Sequence, residues 1–214
     1  MKFIGDDQVC SQLAEKYKTI TIPSHLKTDV SKAIPLQGEH NNQNVNAANL
    51  IANEFGISDS DFQTSVNSFP GLKHRQQVVG SLNGIQFIND SKATNIDAAK
   101  HALRRFENIH LIMGGVFKES SFSPLVDELT NVDKVYAIGQ SQDEIFDALS
   151  PHKPVSKCND LTTAMDCAYS DALQKQGTVL LSPACASFDQ FKNFEARGDA
   201  FITFFNELAK RENH

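Results

Sequence analysis

Gly84-Ile85-Gln86-Phe87-Ile88-Asn89-Asp90-Ser91-Lys92-Ala93-Thr94-Asn95 is the stretch whose reading decides the fold. A strand-like run, 84–88, gives way at once to a polar loop, and a helix-like run, 96–106, follows. Strand, polar loop and helix in that order make the unit of an open α/β sheet, in which ligands bind beyond the carboxyl ends of the strands. Six of the seven residues from Asn89 to Asn95 are polar, more than a connection requires. A capped turn would account for an Asp-Ser pair. It would not account for Lys92 and Thr94 as well, so the loop reads as a site.

Working outward, 78–82 and 85–88 flank Asn83-Gly84, a strong two-residue hairpin signal, and are expected to pair antiparallel. Downstream, 109–113, 135–138 and 179–181 are short apolar runs ending in Gly114-Gly115, Gly139 and Ser182-Pro183-Ala184. Helical patterns at 123–129, 143–149, 161–175 and 198–211 separate or follow them, the last with Phe201, Phe204, Phe205 and Leu208 on one face. Short apolar strands between helices predict a mostly parallel, Rossmann-like α/β sheet with helices on both faces and one antiparallel hairpin strand at or near an edge. All the strand ends then share one rim, the expected ligand-binding edge.

Before the hairpin, Phe3-Ile4 ends a short strand, and Asp6-Asp7 starts a helix on which Val9, Leu13 and Tyr17 share a face. A second strand at 19–22 stops at Pro23, and 24–39 is a polar connector. Val45, Ala48, Ala52 and Phe55 mark one face of a helix closed by Gly56; a shorter helix, capped by Asp59 or Ser60, ends near Pro70.

Composition narrows the function. In 214 residues, 40% hydrophobic content is enough for an ordinary core, and a formal charge of −6 argues against a general nucleic-acid binder. Cys10, Cys158, Cys167 and Cys185 form no CxxC pair and no zinc-like spacing with His, so they read as reduced thiols and no metal site is expected among them. No run approaches the roughly 20 apolar residues of a membrane helix. The start lacks the apolar core of a signal peptide, and the expectation is a cytoplasmic chain without a membrane partner. GxSxG, GxGxxG and GxxxxGK[ST] are all absent from the 214 residues.

Three rim segments carry functional groups: Asp90, Lys92 and Thr94; Gly114, Gly115 and Lys118; then Ser182, Ser187, Gln190, Lys192 and Asn193. Taken singly, each lysine is a solvated charge and the glycine pair a turn. Together, two cations and several hydroxyls at successive strand ends suit a small, doubly anionic substrate. Asn41 and Asn44 either cap a helix or offer carboxamides to a base edge, and His40 is either core or site. Arg75 either meets phosphate or decorates the surface.

Four ordered motifs resemble the Mur ligases: Gly38-x-His40-Asn41-x-x-Asn44; Phe69-x-Gly71-Leu72-x-His74-Arg75; Asn89 to Asn95; and Leu181-Ser182-Pro183-Ala184-Cys185-Ala186-Ser187-Phe188-Asp189-Gln190-Phe191. The last two, with Glu195-x-Arg197-Gly198 after them, resemble the D-glutamate-adding branch of that family. Phe117 departs from the pattern, which favours a small or acidic residue there. The resemblance implies that 1–68 is a remnant of the central, ATP-binding α/β domain and 69–214 a complete C-terminal domain that brings the amino acid. It implies ATP-dependent amide formation through an acyl phosphate, with ATP, D-glutamate and UDP-N-acetylmuramoyl-L-alanine as substrates and Mg2+ held by a half not present here. By position, Asn41 and Asn44 would face adenine, and Arg75, Asp90 and Lys92 would lie near ribose and phosphates. Lys92 is the group assigned to catalysis, through neutralising phosphate charge. Thr94, Lys118, Ser187, Phe188 and Phe194 would hold D-glutamate, the last two partly through their backbone. Two alternatives stand beside this. One is a non-catalytic remnant or subunit that needs a separate N-terminal half, because the phosphate loop is missing. The other is a folylpolyglutamate ligase or another amino-acid-adding Mur ligase.

Overall fold

The computed structural model describes residues 3–4, 20–22, 25, 28–33, 36 and 41–212. The helix expected from Asp6, with Val9, Leu13 and Tyr17, lies outside them, as do Cys10 and His40. The chain divides into two compact units, Met1–Gly71 and Leu72–His214.

In the first unit, β1 (Phe3–Ile4) and β2 (Ile20–Thr21) pair in parallel. Helices α1 (Asn42–Glu54) and α2 (Asp59–Asn67) follow and bury Val45, Ala52 and Val66. The expected apolar face of α1 is only half buried, because Ala48 and Phe55 are exposed, Phe55 by 81%. The cap of α2 is Ser58, one residue before the two considered from sequence; its hydroxyl accepts from the Asp61 N–H at 3.2 Å. Gln63 on α2 donates to the Asp29 carbonyl (2.6 Å) and accepts from its N–H (3.2 Å), which fixes Asp29 against the helix.

The second unit is built on a six-stranded sheet, β3 (Gln77–Leu82), β4 (Ile85–Asn89), β5 (Ile109–Gly114), β6 (Val132–Ile138), β7 (Val155–Asn159) and β8 (Thr178–Leu181). Their order is β3-β4-β8-β5-β6-β7, antiparallel between β3 and β4 and parallel elsewhere. The hairpin strand β3 is thus the edge strand, as the Asn83-Gly84 signal predicts. Strand β7 has no apolar run to reveal it: it is the opposite edge, and Cys158 is its only fully buried residue.

Alternation along the strands divides the core in two. Ile88, Leu111, Met113, Val135, Ala137 and Leu180 face α3 (Ile96–Arg105), a 3-10 helix (Ser123–Asn131) and α4 (Gln142–Leu149). Phe87, Ile112, Tyr136, Ile138, Val179 and Leu181 face α5 (Leu161–Lys175) and α6 (Phe194–Glu212). The segment from Ser123 is a 3-10 helix, and its first bond, Leu125 N–H to the Phe122 carbonyl, already spans only three residues. Helix α6 begins at Phe194, four residues before the expected start at Gly198. Gly198 lies inside the helix because α6 passes so close to His74 that a Cβ there would overlap the imidazole. Among the described residues no helix is long and apolar enough to cross a membrane.

Candidate functional site

The insertion of β8 between β4 and β5 makes the carboxyl ends of these three strands neighbours. The Asp90 N–H donates to the Leu181 carbonyl (2.8 Å), and the Gly114 N–H to the Pro183 carbonyl (2.9 Å). Val116 and Ala186 exchange two backbone bonds, at 2.8 and 3.0 Å. That exchange brings Gly115 against Ala186 with φ near 135°, where any side chain would strike the Ala186 carbonyl. All three rim segments singled out from sequence are therefore hydrogen-bonded together.

The loop after β4 is held from within. Asn89 is fully buried; its Oδ1 accepts from the Ser91 N–H (3.2 Å), and its Nδ2 donates to the Gly198 carbonyl (3.0 Å) and meets His74 Nδ1 (3.1 Å). The Lys92 N–H donates to the His74 carbonyl at 2.9 Å. Asp90 is 4% exposed, its Oδ1 accepting from the Gln76 N–H (3.1 Å) and its Oδ2 from the Ser182 hydroxyl (3.0 Å). Burial pushes its carboxyl up to about 7, against the pull of those two bonds and of Arg75 and Arg105. Arg75 itself is exposed. The Lys92 ammonium is exposed and sits 4.1 Å from the centroid of the Phe194 ring, a cation–π contact that aims it across the rim.

Thr94 is half-buried just before α3, whose N-cap Asn95 accepts from the Ala98 N–H (2.8 Å). Glu119 accepts from the Ile96 N–H (2.9 Å), which ties the Lys118 segment to the start of the same helix. Phe117, the departure from the family pattern, stacks on Phe122 with centroids 3.8 Å apart and packs against the core, so it leaves the lip to Lys118. The Lys118 ammonium lies 5.8 Å from the ring of Phe188, which is 65% exposed. Ser187 is 2% exposed, and its hydroxyl has no hydrogen-bond partner among the described residues. The Glu119–Ile96 bond, the Val116–Ala186 pair and the Lys118–Phe188 contact thus bring the segments of Thr94, Lys118 and Ser187 side by side. A cavity of about 470 Å³ between α5 and α6, with Asp160, Gln190 and Phe191 among its lining, includes none of these residues.

Arg197 is not among the site residues expected from sequence. It is 1% exposed and donates from Nε to the Ser91 hydroxyl (2.9 Å), and from its terminal nitrogens to the carbonyls of Ser91 (2.9 Å), Cys185 (3.1 Å) and Gly114 (3.4 Å). Burial pulls its guanidinium down to about 10. A signal existed: Arg197 precedes Phe201, Phe204 and Leu208 by four, seven and eleven residues, the spacing of a buried helix face, where an arginine is out of place.

Asn41 and Asn44 belong to the first unit. Asn41 occupies the N-cap position of α1 without making a capping bond, and the Asn44 amide donates to its Oδ1 at 3.4 Å. Asn44 also borders an apolar cavity of about 270 Å³ lined by Leu36, Val45, Ala48, Phe62, Val66 and Phe69, among others.

Residues 74–185 match the Mur ligase, glutamate ligase domain. The chain belongs to the Mur ligase family. Among its relatives is the UDP-N-acetylmuramoylalanine--D-glutamate ligase of Caulobacter sp. (strain K31), 44% identical over 184 residues, which are 85% of this chain and 39% of that one. The enzyme of the same name from Agrobacterium fabrum is 42% identical over 84% of this chain and 39% of its own length. The chain therefore spans about two fifths of the curated Mur ligases it matches. Among solved structures, MurF from Acinetobacter baumannii superposes with a TM-score of 0.67 at 16% identity over 97% of this chain and 51% of that one. The bifunctional folylpolyglutamate synthase/dihydrofolate synthase from Yersinia pestis gives 0.59 at 14% identity, over 92% and 50%. These two likenesses concern the fold.

Proposed function

We propose that this chain is the amino-acid-presenting part of an ATP-dependent ligase of peptidoglycan precursor synthesis, acting in the cytoplasm, that joins D-glutamate to UDP-N-acetylmuramoyl-L-alanine. The observation that carries the reading is the Ser187 hydroxyl. It is buried and, among the described residues, unpartnered in the segment that follows β8, beside a lip that presents Lys118. A buried hydroxyl without a partner is costly, and a ligand oxygen or amine at the rim would satisfy it. The names of the relatives point the same way.

In this reading Lys118 gives a charge-assisted bond to a carboxylate of D-glutamate, and Thr94 and Ser187 give neutral ones. Phe188 and Phe194 add backbone contacts and wall the rim. Bound ATP supplies the phosphoryl group that turns the acceptor's carboxylate into an acyl phosphate. The chain's own contribution is positional and electrostatic: it presents the D-glutamate amine, and the Lys92 ammonium, steadied by the Phe194 ring, neutralises phosphate charge. Arg75 and Asp90 are assigned to ribose and phosphates, and Asn41 and Asn44 to adenine. An amide bordering an apolar cavity offers a base both a wall and a donor–acceptor pair. Among the described residues no three His, Cys, Asp or Glu side chains gather to hold a metal, so no step through Mg2+ is assigned to this chain. The 214 residues contain no phosphate loop. Turnover is therefore assigned to this chain joined with a phosphate-loop segment, in the same polypeptide or as a separate N-terminal half.

Titration of the isotopically labelled chain with D-glutamate, L-glutamate and D-aspartate tests the reading. D-Glutamate should shift the amides of Thr94, Lys118, Ser187 and Phe188 more than the other two ligands do. No response at these four amides would refute it. Phosphate release by the chain alone with ATP, D-glutamate and the UDP-sugar acceptor would overturn the need for a further segment.

A further inference from the structure

Arg197 meets an unusual combination of conditions. It is fully buried, four of its hydrogen bonds run to three different rim segments, and all its acceptors are neutral oxygens. Among the described residues no carboxylate lies within ion-pair distance of it; the favourable influences on its charge come from Cys185 and Asp189. A buried cation is retained against its desolvation cost when a partner charge compensates it, and here, among the described residues, none pairs with it directly. The bonds also have a geometric consequence. Ser91 is the hinge of the loop that carries Lys92 and Thr94, Gly114 starts the segment that carries Lys118, and Cys185 lies two residues before Ser187. One guanidinium therefore sets the frame in which all of these groups are presented.

We propose that Arg197 is the positioning residue of this rim and that its uncompensated charge makes the rim an anion site, the ligand's carboxylate completing the charge balance. This deepens the reading above and rests on it for the identity of the ligand. The sequence motif Glu195-x-Arg197-Gly198 then has a physical sense. Arg197 reaches down from the first turn of α6 into the three loops, and Gly198 lets that turn approach His74.

The experiment compares Arg197→Lys, which keeps the charge and loses the fork, with Arg197→Gln, which loses the charge. Two ligands are used: D-glutamate, followed by calorimetric titration, and orthophosphate, followed by the rise in melting temperature over chloride at equal ionic strength. Removing one full charge from a partly desolvated anion site should weaken D-glutamate by about tenfold or more in Arg197→Gln. Arg197→Lys should stay nearer the parent than Arg197→Gln, although both lose thermal stability. A purely structural arginine predicts the opposite: both variants weaken in proportion to their loss of stability, and that result overturns the proposal. If the parent itself ignores D-glutamate, the D-glutamate reading falls while the proposal is still decided by orthophosphate. A stabilising shift kept in Arg197→Lys and lost in Arg197→Gln supports it; equal shifts in all three proteins, or none in any, overturn it. Should Arg197→Gln fail to fold, Ser91→Ala removes the Nε acceptor and leaves the charge. It should displace the amides of Lys92, Gly115 and Ala186 while keeping the orthophosphate shift, and loss of that shift would count against the proposal.

Discussion

Replacing Asp90 by Asn should leave stability nearly unchanged below about pH 4 and make the protein increasingly more stable than the parent up to about pH 7. The folded carboxyl ionises near 7 and its unfolded counterpart near 3.8, the cause being burial between Gln76 and Ser182. A raised folded pKa means that the stabilisation is fully present below about 3.8 and is lost as pH rises through about 7. Roughly three units at 1.36 kcal/mol each amount to about 4 kcal/mol lost by pH 8. Asparagine carries no charge and fits the same two partners: its Oδ1 can accept from the Gln76 N–H, and its Nδ2 can donate to the Ser182 hydroxyl, which has lone pairs to spare. The assay is urea unfolding of parent and Asp90→Asn from pH 4 to pH 8 at constant ionic strength, with the difference between the two plotted so that other titrations cancel. The difference should be small at pH 4, grow in favour of the variant up to about pH 7 and level off above it. A difference independent of pH would refute the reasoning. It would mean that Asp90 is ionised throughout and that Arg75 and Arg105 outweigh its burial.

Ser187→Ala should cost no stability, because the hydroxyl it removes is buried without a partner among the described residues, yet it should weaken D-glutamate by about fivefold, a neutral hydrogen bond being worth about 1 kcal/mol. Unchanged affinity in a titration would take Ser187 out of the site. Lys118→Ala should weaken D-glutamate by roughly ten- to a hundredfold, and Thr94→Ala by less, since only the lysine gives a charge-assisted bond. The reverse ranking would show that the ammonium beside Phe188 faces away from the ligand. Asn95→Ala should lower stability by about 1 kcal/mol through loss of the α3 cap, read as a shift in urea midpoint.

Much of the second unit was legible because its signals are local. Asn83-Gly84 fixes a hairpin through backbone preferences of two residues, and the hairpin is there. The apolar runs that became β5, β6 and β8 are buried on both faces, so they carry no polar alternation to confuse them. Strand β7 is not legible in the sequence for the converse reason: an edge strand with one fully buried residue has no apolar pattern to read. The α2 cap at Ser58 and the start of α6 at Phe194 are not legible in the sequence, because caps and helical glycines are settled by contacts rather than by propensity. Asp90, Lys92, Thr94, Lys118 and Ser187 could be proposed from sequence since polar side chains at strand ends have few structural duties there.

The sequence by itself determined the alternation of apolar strand and amphipathic helix, and with it the existence of a polar rim. It could not determine that β8, the last strand in the chain, enters between β4 and β5. Strand order follows from which apolar edges match across a hundred residues, a non-local choice that no window of sequence contains. That choice brings Ser182 to Asp90, 92 residues away, and turns an ordinary carboxylate into one that ionises near neutrality. It also carries Arg197 to Ser91, across 106 residues, and buries it beneath three loops. Burial and electrostatic environment belong to the packed molecule, because desolvation depends on every neighbour at once.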